Sequence, residues 1–308
     1  MIGILGTKFH GAMALSRFLF LLFVVAGPMA NAQRFSISVG AYSGVMTSYT
    51  ADKGIAKDPR YDKRFEAKLA PIGINLSLDY EAFGILVSPG IINVGQNFYL
   101  INTEGGQDGL RKIDLRYLAV PVSLKAHLVH FSAFKFSALA TITPSFLLDG
   151  SEVLNHHPTK LQFPEPVYSI LPSDYIIEYD GVLAPEVNNY SIAKKSDFKP
   201  VQIFAGLGFR SDWDPSNHWR ISVDFRVNYG LFDPRTPTYT SNSESTVRLY
   251  DIPGERRDMF AQFTVGISRY IEFEQSDKER KKKLKGTTRK YQPLKSSTQA
   301  KRKSSPKN

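Results

Sequence analysis

The chain has no cysteine. This excludes a disulfide framework, a thiolate metal site, a cysteine nucleophile and a lipoprotein anchor. Beyond the first thirty residues there is no long apolar run, which excludes a helical membrane protein. No stretch shows a convincing helical period. Acid is scarce at both ends: residues 1–32 hold Lys8 and Arg17 with no Asp or Glu, and residues 275–308 set thirteen Lys/Arg against Asp277 and Glu279. The net charge of +10 therefore belongs to the ends, and the body between them is mildly acidic. What is present is the composition of a packed chain, 42% hydrophobic and 22% charged over 308 residues, which excludes a wholly disordered protein.

Residues 18–26 read FLFLLFVVA, too short to span a bilayer as an ordinary helix. Arg17 precedes this run, and Ala30-Asn31-Ala32 follows with small-x-small spacing. The pattern predicts a secretory signal peptide over 1–32, Sec-type export and cleavage before Gln33, with Met13 as an alternative start. An exported chain is not expected to meet nucleic acid or nucleotide cofactors. Residues 33–273 then form the folded body, and 274–308 a basic tail, rich in Ser and Thr and poor in apolar groups, expected to be disordered.

From Arg34 onward the dominant period is two. Ile72, Ile74, Leu76, Leu78 and Tyr80 oppose Gly73, Asn75, Ser77 and Asp79. Val201, Ile203, Ala205, Leu207 and Phe209 oppose Gln202, Gly206, Gly208 and Arg210. Trp219, Ile221, Val223, Phe225 and Val227 oppose Arg220, Ser222, Asp224, Arg226 and Asn228. Eight such strands are predicted, near the ~9–11 residues that a tilted membrane strand needs. Short links (81–83, 129–133, 211–218) alternate strictly with long ones (46–69, 97–112, 149–198, 233–257). Short turns at one end and long loops at the other predict an all-β, eight-stranded antiparallel up-and-down transmembrane β-barrel, with short periplasmic turns and long external loops. The even count puts both chain ends, and so the basic tail, in the periplasm.

Alternation alone leaves the direction of the faces open, since a lipocalin-like barrel would turn its apolar face inward. The polar face is crowded with small residues such as Gly40, Gly73, Gly206, Gly208 and Gly266, as a narrow eight-strand bore requires. Aromatics cluster at the strand ends: Tyr80, Phe83, Phe131, Phe134, Trp213, Trp219, Tyr270 and Phe273 near the short turns, and Tyr42, Phe98, Tyr99, Phe146 and Phe232 near the long loops. Two such belts predict lipid outside and a polar lumen.

The run Asp114-Leu-Arg-Tyr117-Leu-Ala-Val-Pro121-Val-Ser-Leu-Lys125 resembles the YLxxPxxxK strand of the PorT-like bacterial outer-membrane barrels. Supporting pieces are Leu86-Val-Ser-Pro89-Gly, Ala205-Gly-Leu-Gly-Phe209, Phe225-Arg-Val-Asn-Tyr229-Gly-Leu231 and Phe263-Thr-Val-Gly-Ile-Ser-Arg-Tyr270. The 149–198 loop and the basic tail depart from the family's pattern. The resemblance implies an outer-membrane location, and a structural or export-associated role connected with type IX secretion, since the founding member is associated with that system.

No catalytic, metal-binding or cofactor-binding residue is predicted, and no enzyme activity. His156-His157 is the one histidine pair, with Asp149, Glu152 and Glu165 nearby, but adjacent histidines point apart in an extended chain. His127 and His130 lie near a short turn with no acid at a telling spacing. Asp79, Lys125, Lys135, Arg210, Arg220, Asp224 and Arg226 fall on the inward face and are expected to pair there, because unpaired charges would cost several kcal/mol each in a poorly hydrated interior. Outward function falls to the 149–198 loop, whose Tyr168, Tyr175, Tyr179 and Tyr190 among five prolines predict an ordered lid or binding surface, that of an adhesin or receptor. Expected partners are outer-membrane lipid and, for the tail, lipid head groups, cell-wall polymer or an acidic face of a periplasmic envelope protein. A monomer is expected.

Overall fold

The computed structural model describes residues 34–274 apart from 81, 132 and 217. The chain divides into a unit spanning Phe35–Glu272 and another made of Met1–Arg34 with Phe273–Asn308, and only the first is described below. The predicted signal peptide and the tail beyond 274 lie outside the described residues.

Eight staves form the barrel. They are β1 (Arg34–Asp52), β4 (Ile72–Tyr80), β5 (Phe83–Val87) continued by β6 (Gly90–Val94), β8 (Gln107–Ala119) continued by β9 (Val122–Phe131), β10 (Phe134–His156), β15 (Val201–Trp213), β16 (Trp219–Gly230) and β17 (Arg256–Glu274). Each stave pairs antiparallel with its neighbour in the chain, and β17 returns to β1 to close the ring. The expected eight-stranded up-and-down topology is what is found. Further pieces decorate the long-loop end: β2 (Tyr61–Arg64), β3 (Ala67–Lys68), β7 (Asn97–Ile101), β11 (Thr159–Leu161), β12 (Ile176–Glu178), β13 (Gly181–Ala184), β14 (Val187–Lys194) and a short helix, α1 (Pro237–Ser245).

Register carries the two faces around the ring. Leu124, Ala140, Leu207, Val227 and Ala261 lie directly across from one another and point out, and Ser123, Thr141, Gly206 and Asn228 do the same and point in. Ile74, Leu124, Leu207, Phe225 and Ile267 are exposed, while Ser77, Ser123, Lys125, Asp224 and Thr264 are buried. An outward apolar band around a polar bore is the arrangement a lipid surround favours. Of the predicted belt aromatics, Phe131, Phe146, Trp213, Trp219 and Phe232 are exposed. Tyr42, Phe98 and Tyr270 are buried, because the period of two sets Tyr42 and Tyr270 on the lumen face and Phe98 packs into the core above the bore.

Three prolines fall at one level on neighbouring staves, where their missing N–H interrupts the ladder. Their carbonyls still accept, Pro89 from Ile74 (2.9 Å), Pro121 from Ser88 (3.0 Å) and Pro144 from Val120 (2.9 Å). Above this level the staves run far past the predicted strand ends: β1 to Asp52, β10 to His156, and β8 from Gln107. The chemistry of the faces inverts there. In β8, Ile113, Leu115 and Tyr117 point in, while Lys112, Asp114 and Arg116 point out, as water outside requires. In β10 a bulge between Leu147 and Asp149 flips the parity, so that Glu152, Leu154 and His156 point in.

The 149–198 segment is ordered in place of one long loop. It finishes β10, adds β14 to that strand's edge, and folds a small sheet in the order β11-β13-β12. The α-helix α1, the one α-helix among the described residues, also departs from the expectation of none. It rests on local chemistry without an apolar stripe: the Thr236 hydroxyl accepts from the Tyr239 N–H (3.3 Å), and Pro237 opens the first turn.

Candidate functional site

The lower bore is a closed ion-pair network. Asp79 is bound by Lys125 and by Arg220 (2.6 Å). Arg210 bridges Asp212 (2.9 Å) and Asp224 (3.6 Å), Arg226 holds Asp224 (2.5 Å), and Arg220 also holds Asp214 (2.7 Å). Six of the seven predicted inward charges pair in this way. Lys135, buried at the short-turn end, has no ion pair among the described residues. Asp212 and Asp214 complete the set; they stand two and four residues past Arg210 at the end of the same stave, and the alternation carried as far as Asp212 would have found the first.

The same packing brings Ser137, His127 and Asp79 into line, which spacing along the chain could not show. Ser137 Oγ lies 2.7 Å from His127 Nδ1, and His127 Nε2 lies 3.9 Å from Asp79. This is not a working triad. The Ser137 side chain is fully enclosed, and the carboxylate is already occupied by Lys125 and Arg220. Among the described residues no group of three or more His, Asp and Glu side chains is placed to hold a metal. His156 turns inward, whereas His157 is exposed, so the pair diverges as an extended chain requires.

Over the polar bore lies an apolar layer of Ile92, Tyr117, Ala119, Phe204 and Phe260, with the Phe204 ring edge-on to both Tyr117 and Phe260. Above it a second ionic tier joins the upper ends of β1, β8, β10 and β17 to the segment between β16 and β17. Arg111 on β8 donates to Glu152 on β10 (2.6 Å) and to Asp251 (2.9 Å); Arg256 on β17 meets Glu152 (3.1 Å) and Asp258 (3.4 Å); Arg235 meets Asp233 (3.0 Å) and Asp52 (3.3 Å). Burial opposes the charge on Arg111, but Glu152 and Asp251 outweigh it and hold the guanidinium well above its ordinary value. Burial likewise works against the Asp251 carboxylate, and Arg111 holds it below the usual carboxylate range. Tyr239 on α1 donates to the other oxygen of Asp251 (2.9 Å), tying the helix to the same tier.

The cap sits on this tier with a core of its own, built from Leu100, Leu154, Leu161, Phe163, Val167 and Val182 around Tyr250. Arg60, fully buried, stacks over Phe163 at 4.3 Å and is neutralised by Asp58 (2.7 Å). The Tyr175 and Tyr250 hydroxyls lie 2.8 Å apart, and the Tyr250 hydroxyl lies 2.7 Å from His156 Nε2. The Nδ1 of His156 faces the His157 carbonyl oxygen at 2.8 Å, so it carries the proton and Nε2 accepts from Tyr250. Burial pushes His156 below its ordinary value, against the pull of that carbonyl. Of the four tyrosines singled out in the loop, Tyr175 is thus an inward strut, while Tyr168, Tyr179 and Tyr190 are exposed. A half-open groove of about 670 Å³ lies beside the cap, lined by Tyr49, Lys53, Tyr61, Lys63 and Arg257. Its Lys53 and Arg257 are both met by Glu255 (2.8 and 2.7 Å), and with Asp52, Asp62 and Lys63 also in the lining the charges of the groove balance.

The outer membrane protein beta-barrel domain family matches residues 28–234 of the chain. The chain belongs to that family. The barrel is therefore a bacterial outer-membrane protein, its short turns periplasmic and its cap external. No curated protein is significantly similar in sequence. Among solved structures, the attachment invasion locus protein Ail of Yersinia pestis is similar at 11% identity, covering 78% of this chain and 99% of that one, with a TM-score of 0.29. Neisserial surface protein A is similar at 8% identity (76% and 96% covered, TM-score 0.33), and the outer membrane protease OmpT of Escherichia coli at 8% (78% and 97%, TM-score 0.34). At such identities no activity passes from them to this chain.

Proposed function

We propose that this chain is a non-enzymatic outer-membrane barrel that acts as a surface-binding protein, with the folded external cap as its binding part. The observation that carries this reading is the cap's own core, seated on a bore that is filled by paired charges. A filled bore offers no path to a solute, so the elaborated part of the molecule is the part that meets the outside. The test is a chain in which residues 159–184 are replaced by a short Gly/Ser linker, displayed on cells. The barrel should still migrate anomalously when unheated on a gel, and attachment of the cells to polypeptide-coated surfaces should be lost. Undiminished attachment would overturn the reading.

A second reading is the structural or export-associated role implied by the PorT-like resemblance. What favours it is where the resembling residues sit: Tyr117 in the apolar layer, Pro121 at the break between β8 and β9, and Lys125 in the lower network. These are barrel-building positions, and a deletion strain that loses secreted protein would support this role over the first.

A further inference from the structure

The cap's outer surface has a chemistry of its own. Between residues 161 and 193 there are five carboxylates and no Lys, Arg or His. All five, on Glu165, Asp174, Glu178, Asp180 and Glu186, are exposed. Lys160 answers two of them, Glu178 (2.6 Å) and Asp180 (2.9 Å), while Glu165, Asp174 and Glu186 have no ion pair among the described residues. Interleaved with these acids are large apolar side chains open to water: Tyr168, Ile170, Ile176, Ile177, Tyr179 and Leu183. Ile176 and Ile177, on opposite faces of one strand, are 56% and 61% exposed, and Tyr179 at the hairpin tip is fully so. These residues lie beyond the apolar band, so lipid does not cover them. Exposed apolar groups concentrated in one short segment, on both faces of its strand, point to an interaction site.

The backbone supplies the mode. β12 is the last strand of the three-stranded sheet, and among the described residues no strand pairs with its outer edge. Its inner edge is fixed to β13 by Ile176–Leu183, Ile177–Val182 and Glu178–Gly181, and Val182 is rooted in the cap core. The free edge is therefore held ready for main-chain pairing, the side chains on either face supplying selectivity.

We propose that the cap takes up a polypeptide segment rich in Lys or Arg interleaved with apolar residues, added as a strand to the free edge of β12. Carboxylates without counter-ions select the cationic residues, and the isoleucines with Tyr179 take the apolar ones. This deepens the reading of the cap as the binding surface and rests on it.

The experiment uses the full chain in nanodiscs of zwitterionic lipid and three labelled ten-residue peptides followed by fluorescence anisotropy. One alternates Lys and Val; the second has the same sequence with alternate backbone nitrogens methylated; the third alternates Glu and Val. The Lys/Val peptide should bind at least tenfold more tightly than either of the others, and weaken several-fold as salt rises from 0.05 to 0.5 M. The paired substitution Ile177→Asn with Tyr179→Ser, checked for an intact cap by its resistance to protease, should lose that binding. Equal binding of the methylated peptide, preference for the Glu peptide, or unchanged binding by the paired variant each overturns the proposal. If no peptide binds while removal of residues 159–184 still abolishes cell attachment, the cap keeps its role and the added strand is wrong. If attachment survives removal, the broader reading fails first.

Discussion

His156 is kept neutral by its surroundings, and this makes the cap sensitive to acid. Its folded value is depressed, so above about pH 6.5 neither the folded nor the unfolded cap binds the proton. As pH falls through that point the unfolded segment takes up a proton that the folded one refuses, and cap stability declines until the folded value is reached. Asp251 is depressed too, but as a carboxylate it matters only well below this window. Protease cleavage within 159–184 should therefore be faster at pH 5 than at pH 7.5, and His156→Gln should flatten the difference; an unaltered pH profile in that variant would falsify the assignment. Arg111 makes the complementary case. Arg111→Met leaves Glu152 and Asp251 buried without their shared cation and should destabilise the cap by about 3–5 kcal/mol, read from its urea midpoint. Neither role was legible beforehand. Along the sequence Glu152 and His156 read as loop residues, and their partners, Arg111 and Tyr250, stand 41 and 94 positions away: the first is met through the pairing of β8 with β10, the second through the packing of the cap.

At the level of the strands, the sequence was most readable where the solvent is lipid. There the outward face is mostly apolar and the inward face mostly small, polar or charged, so the period of two identifies the membrane portions of the staves and their direction. Leu207→Arg, on the outward face of β15, should cost about 2–4 kcal/mol in refolding from urea into bilayers. A matching test of the lumen face is Gly40→Val. A side chain at Gly40 runs into the Ile267 carbonyl and Ser268 on β17, so this variant should fail to close the β1–β17 seam and should lose its heat-modifiable band. Above the prolines the same period persists but its chemistry reverses, and in β10 the bulge shifts it by one residue. A reader following lipid-type alternation therefore stops at about Phe146, and the rest of the strand passes for loop. The buried Tyr42 and Tyr270 teach the converse lesson: parity, which was available, outweighs the bare fact that a residue is aromatic and near a strand end.

For the whole molecule, the stacked contents of the barrel, ionic below, apolar in the middle and ionic again above, leave no aqueous route. Purified protein in planar bilayers should give no steady conductance, and stable open-channel steps would contradict the plugged bore. A deeper consequence comes from β10. This single strand of 23 residues runs from the periplasmic turn at Phe134 to the cap at His156 without leaving the sheet. It is paired through its lower half with β9 and β15, and through its upper half with β8 and β14. Ladder hydrogen bonds lie perpendicular to the strand, so a pull on the cap along the barrel axis loads many of them together in shear, where a pull across the edge would open them one at a time. The joint between the cap and what is anchored in lipid is thus no hinge or tether but a continuous tensile member. A cell held by this cap would be held by the full strength of the barrel wall.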